Sequence, residues 1–191
     1  MPRYQDERGH VFDQIQESIF DSITLTDASV LNSTRSFFSD VQGKNDIDTN
    51  LRQNSILESK VSFQVQGMAI DAQVYSQGAN ATLLPELQEK SSMRLVIGEK
   101  DYWKGQMRML TGKLNVVHEL AGGTDAERYF AQYGLPKEHG LMFARGNHIV
   151  IPELQSFRLE WKTANLVATI AAGSSVKFTA QLKGFLRRPV Q

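Results

Sequence analysis

His148-Ile-Val-Ile-Pro152 leads into Phe157-Arg-Leu-Glu-Trp-Lys162; beyond Gly173-Ser-Ser175 comes Val176-Lys-Phe-Thr-Ala-Gln-Leu-Lys183, which runs on into Gly184-Phe-Leu-Arg-Arg-Pro-Val-Gln191. In the first long stretch Phe157, Leu159 and Trp161 alternate with Arg158, Glu160 and Lys162. In the second, Val176, Phe178, Ala180 and Leu182 alternate with Lys177, Thr179, Gln181 and Lys183. A period of two sends successive side chains to opposite faces, so each stretch predicts a strand with one buried and one wet face. With small polar residues between them, the pair reads as a β-hairpin. Such a hairpin is marginal in water on its own. The rest of the chain must therefore supply the sheets that bury Phe157, Leu159, Trp161, Val176, Phe178 and Leu182.

Upstream, Val61, Phe63 and Val65 share one face of a strand from Lys60 to Tyr75, while Met68, Ile70, Ala72 and Val74 continue it with the parity shifted. The shift falls at Gln66-Gly67. Either one extra residue there, a β-bulge, returns both sets to a single core, or two strands meet at a kink. Arg94-Leu-Val-Ile97, a turn at Gly98-Glu-Lys-Asp101 and Tyr102-Trp103 read as a hairpin, with short strands at Gln106 to Leu110 and Lys113 to Leu120. Residues 76–92 read as a polar connection, and Asp40 to Asn54 as an Asx-rich loop. That loop is not an EF-hand, because Leu51 and Leu57 stand where glycine and glutamate are needed. Thr124 with Glu127 three residues on makes a capping box, predicting an inserted helix near 124-133 that Gly134 and Pro136 end. Phe12, Ile15, Ile19, Phe20 and Ile23 recur at helical offsets. They predict a short amphipathic helix in an N-terminal arm, residues 1-25, that packs either on its own domain or on a neighbouring subunit. Residues 26-191 then form an all-β antiparallel β-sandwich, and the irregular connections suit a single jelly roll.

With 41% hydrophobic and 22% charged residues the composition is that of a globular protein. Lys plus Arg (21) balances Asp plus Glu (21), so no net field draws the chain onto nucleic acid, and no dedicated nucleic-acid site is expected. The absence of cysteine excludes disulfides, thiolate metal sites and cysteine nucleophiles. No apolar run spans a bilayer and no signal-peptide core is present, which leads to the expectation of a chain made in a reducing cytoplasm. The sequence contains no G-x-S-x-G, Walker loop, G-x-G-x-x-G or H-E-x-x-H. His118, His139 and His148 with Glu119 or Glu138 could form a cupin-like metal site, but the H-x-H pair of a cupin is missing. No catalytic residue, metal or cofactor is assigned, and no enzyme activity is expected. Tyr102 and Trp103, beside a turn, are either an exposed binding anchor or ordinary core. Lys183, Arg187 and Arg188 lack interleaved aromatics and are expected to make only peripheral contact with a membrane or genome.

The order of these features carries a resemblance. The loop Gly43-Lys-Asn-Asp-Ile-Asp-Thr-Asn50 and the strand ending near Gly67 precede the hairpin around Ile97-Gly-Glu-Lys-Asp-Tyr102; an Ile-Pro strand with Phe157 follows, and the chain closes on Leu182-Lys-Gly-Phe-Leu-Arg-Arg-Pro-Val-Gln191. Over residues 40–191 this resembles the jelly-roll capsid proteins of tailless icosahedral bacteriophages, including those with an internal membrane. The resemblance implies a structural virion protein, made in the host cytoplasm and located in the capsid. It would self-assemble with copies of itself and other virion proteins, with Phe12, Ile15, Ile19, Tyr102 and Trp103 as expected subunit contacts. The alternative is a receptor- or carbohydrate-binding jelly-roll module of a phage spike or fibre.

Overall fold

The computed structural model describes residues 3–5, 11–75, 83–111, 117–118, 130–131, 140–144, 146–170, 172–173 and 175–189. In chain order its elements are β1 (Arg3–Gln5), β2 (Val11–Thr26), β3 (Thr34–Phe37), β4 (Ser62–Tyr75), α1 (Leu83–Lys90), β5 (Ser91–Ile97) and β6 (Lys100–Gln106). A 3₁₀ turn (Met107–Met109) follows, then β7 (Val117–His118), β8 (Phe130–Ala131), β9 (Leu141–Met142), β10 (Ile149–Ile151), β11 (Phe157–Thr163) and β12 (Ser175–Pro189). One sheet has the order β1-β2-β12-β4-β10, with β9 also on β4; a second has the order β3-β11-β5-β6; β7 and β8 pair with each other. The pairings are antiparallel throughout. The architecture is therefore all-β, two antiparallel sheets packed face to face.

Phe157, Leu159, Trp161, Val176, Phe178 and Leu182 are all buried, together with Phe63, Val65 and Ile70. The two stretches that carry the first six are nevertheless not a hairpin. β11 lies between β3 and β5, and β12 lies between β2 and β4, so the two strands confront each other across the core. Alternation fixes which face is buried and is silent on which strand lies alongside, and the connection over residues 164–174 is long enough to cross between sheets. Trp161 is the hub. Its ring lies 4.7 Å from that of Phe178 in the opposite sheet and stacks on Phe37 at 6.1 Å in its own. Burial of each such ring stabilises the fold by about 1.5–3 kcal/mol.

The parity shift in β4 is a bulge. β12 pairs Lys183 with Gly67 but Gly184 with Val65, leaving Gln66 as the extra residue, and Phe63, Val65, Met68, Ile70 and Ala72 all reach the core. Glycine is required opposite this bulge, because a Cβ on Gly184 would fall 1.9 Å from the Gln64 carbonyl oxygen.

Several expectations are corrected. Residues 12–23 form strand, not helix, and Ile19 and Leu25 enter the core. Ile15, Ile19 and Ile23 are spaced by four, a spacing that keeps one face in both a helix and a strand, and the charged Glu17 and Asp21 between them disguise the period of two. Asp21 is tolerated because, although buried, it accepts from the Phe38 N–H and from Lys44 Nζ, each at 2.7 Å. Residues 83–90, read as part of a polar connection, form α1. Its Leu83, Leu84 and Leu87 are buried, and Pro85 falls in the first turn, where its missing N–H costs nothing. The strand expected at Gln106 to Leu110 is a 3₁₀ turn. Of the helix expected near 124-133, Phe130–Ala131 is strand paired with β7, and the remainder lies outside the described residues.

The Asx-rich loop closes the edge of β2. Asn50 donates to the Ser18 carbonyl at 2.8 Å and accepts from the Phe20 N–H at 2.9 Å, as a neighbouring strand would, and Thr49 Oγ1 donates to the Phe20 carbonyl at 3.0 Å. Within the loop, Asn45 accepts from the Ile47 and Asp48 N–H groups, an Asx turn.

Candidate functional site

β2 and β12 pair over residues 12–26 and 175–189, which brings Phe12 and Ile15, two of the expected contact residues, against the basic tail: Phe12 opposite Pro189 and Ile15 opposite Leu186, with Gln14 between them opposite Arg187. The Arg187 guanidinium lies 5.4 Å over the Phe12 ring, in cation–π contact, and Arg187 Nη2 donates to Gln64 Oε1. Gln64 Nε2 in turn lies 3.0 Å from His148 Nδ1. Phe12, Arg187, Gln64 and His148 thus form a continuous row across the outer face of the larger sheet. The three tail cations do not converge, since Lys183 and Arg187 share that outer face and Arg188 points to the other. There Arg188, Glu17, Ile19, Leu51, Leu57 and Leu186 line a groove of about 340 Å³.

Ile19, expected as a contact residue, is 3% exposed and belongs to the core, because it faces Leu182 and not the outer row. Tyr102 and Trp103 separate. β5 pairs Leu95 with Trp103 but Val96 with Asp101, which makes Tyr102 the extra residue of a bulge, 48% exposed. Trp103, opposite inward-facing Leu95, packs against the core with its ring over Gly105, where an added Cβ would fall 2.5 Å from Trp103 Cζ2. One residue of the pair is therefore anchor-like and the other is core. Of the histidines considered as ligands, His148 bonds Gln64 and His139 lies outside the described residues. Among the described residues no cluster of three His, Asp or Glu side chains could hold a metal.

A second surface was not foreseen. Glu86 in α1 accepts from the Val167 and Ala168 N–H groups, each at 2.8 Å, and from Lys90 Nζ at 2.6 Å. Lys90 also donates to the Asn165 carbonyl, and Asn32 bonds both the N–H and the carbonyl of Leu166. These anchors hold an exposed loop that presents Val167, 81% exposed, beside the loop carrying Val30, 72% exposed. The hydrogen bond from Lys90 first, then that from Val167, holds the Glu86 carboxyl down at about 2. Only the Glu86–Lys90 pair, four residues apart, is local enough to be legible in the sequence; the other donors are backbone groups some 80 residues from Glu86.

Comparison of the chain with protein-family models, with curated proteins and with solved structures finds no match. No helix among the described residues is long and apolar enough to cross a membrane.

Proposed function

We propose that the chain is a structural virion protein, a single jelly-roll subunit of an icosahedral phage capsid that works by burying surface against copies of itself and other virion proteins. Strand order is the observation that carries this reading. Among the eight strands β2 to β6 and β10 to β12, first pairs with last (β2 with β12), second with seventh (β3 with β11), third with sixth (β4 with β10) and fourth with fifth (β5 with β6). That nested pairing is what results when one long hairpin rolls into two sheets, the arrangement used by viral capsid and lectin domains.

Assembly through sheet edges fits the geometry less well than assembly through faces and loops. The outer side of β2 is covered by β1 at residues 11–13 and by Asn50 and Thr49 at Ser18 and Phe20, while β6 carries Lys100, Lys104 and a bulge, all devices that discourage strand addition. The contacts are instead assigned to the outer row from Phe12 to His148 and to the loops bearing Val30 and Val167.

Native mass measurement and electron microscopy of the expressed protein test the reading. Higher-order closed assemblies are expected, and a strict monomer at every concentration and salt would overturn it. Exposed Tyr102 favours the second reading, a receptor- or carbohydrate-binding spike module, which predicts a discrete trimer instead.

A further inference from the structure

The outer face of the smaller sheet carries a groove of about 280 Å³ lined by Thr34, Ser92, Met93, Arg94, Lys104, Glu160 and Lys162. Its hydrogen-bonding capacity is unbalanced. The single lining carboxylate, Glu160, is held at both oxygens: Oε2 accepts from Arg94 Nε at 2.5 Å and Oε1 from Arg158 Nε at 2.7 Å. Burial works against the charge on Glu160, but the hydrogen bonds from the two guanidiniums outweigh it and hold its pKa below the usual carboxylate range. Among the described residues, Lys104 and Lys162 have no hydrogen-bond or ion-pair partner, and neither do the Thr34 and Ser92 hydroxyls. Four donor groups, one from each of β3, β5, β6 and β11, are thus free around an anion that is already neutralised. In the groove between β2 and β3, by contrast, Lys44 is committed to Asp21.

A surplus of donors over the single carboxylate that lines the groove, with Asp101 outside the lining and 3.5 Å from Arg94 Nη1, fits a ligand made of acceptor oxygens that carries negative charge. A carboxylate offers two such oxygens in a plane; four donors on separate strands suit a tetrahedral group. We propose that this groove binds a phosphate or sulfate ester. The assignment does not depend on the assembly reading.

The test is titration of the full ¹⁵N-labelled chain with sodium sulfate and sodium phosphate, against sodium chloride at matched ionic strength, following the amides of Thr34, Ser92, Arg94 and Lys104. Saturable shifts with sulfate or phosphate and not with chloride are expected; equal responses to all three salts would overturn the proposal. Lys104→Gln combined with Lys162→Gln should weaken binding by about tenfold. Lys60→Gln combined with Lys100→Gln removes the same charge away from the groove and should leave affinity within about twofold. Equal weakening by both pairs would mean general charge attraction, and so overturn the site. Glycerol phosphate and a sulfated disaccharide then distinguish the two sources. Tighter binding of either one than of its free ion supports an ester ligand, and tighter binding of neither refutes it.

Discussion

Asp21 occupies the inward face of β2, where its carboxylate serves two masters on different segments, the Phe38 N–H and Lys44 Nζ. Phe38 adopts a left-handed backbone conformation (φ 70°), so the Asp21 acceptor also secures a residue in a costly geometry. Asp21→Ala should lower stability in urea unfolding by about 2 kcal/mol, the cost of a buried N–H left without a partner. Lys44→Ala should cost as much or more, because it strands a buried charge, and the double variant should cost little beyond Asp21→Ala alone. Additive losses would show that the two residues are not coupled. Glu86 gives a pH-dependent counterpart. Its folded value of about 2 lies below the roughly 4.3 of a free glutamate, so its contribution is complete above the unfolded value and is lost as pH falls through the folded one. Protection factors of the Val167 and Ala168 amides, the intrinsic exchange rate at each pH divided by the observed rate, should therefore fall on acidification between those limits, and Glu86→Gln should abolish that fall.

β2 shows why some of the architecture could be read from residues and some could not. The inward sets of β4, β11 and β12 are legible because apolar side chains occupy nearly every second position, and the bulge at Gln66 announces itself as a change of parity. In β2 two carboxylates interrupt the inward row, and the partners that make Asp21 acceptable come from residues 38 and 44, which no local pattern reveals. The Glu86 clamp and the unpaired cations of β6 and β11 are hidden for the same reason, the first joining a helix to a loop far along the chain and the second being products of register across strands. The strand assignment changes what truncation should do. Removing residues 1–10 should leave the far-ultraviolet spectrum and the unfolding midpoint nearly intact. Removing residues 1–20 takes away Ile19 and much of the ladder to β12, and should cost at least about 3 kcal/mol. Equal stability of the two truncations would contradict the pairing. Asn50→Ala should cost about 1–2 kcal/mol and, by uncovering the β2 edge, raise concentration-dependent light scattering.

The two antiparallel sheets are legible in the sequence as a class but not in their pairing, since the alternating closing stretches read as a hairpin when each belongs beside strands far earlier in the chain. Patterning determines faces; partners are chosen by global topology, where loop-closure cost and packing compete over long sequence separations. That topology has a temporal consequence. β12 is the middle strand of its sheet, and until residues 175–189 have been synthesised β2 and β4 would have to stand about 9.5 Å apart with an empty lane between them. Two rows of unpaired backbone groups, on strands of 16 and 14 residues, would face that lane. The nascent chain is thus held back from its larger sheet until its last described strand arrives, and any other extended peptide that reaches the gap first is a competitor for it.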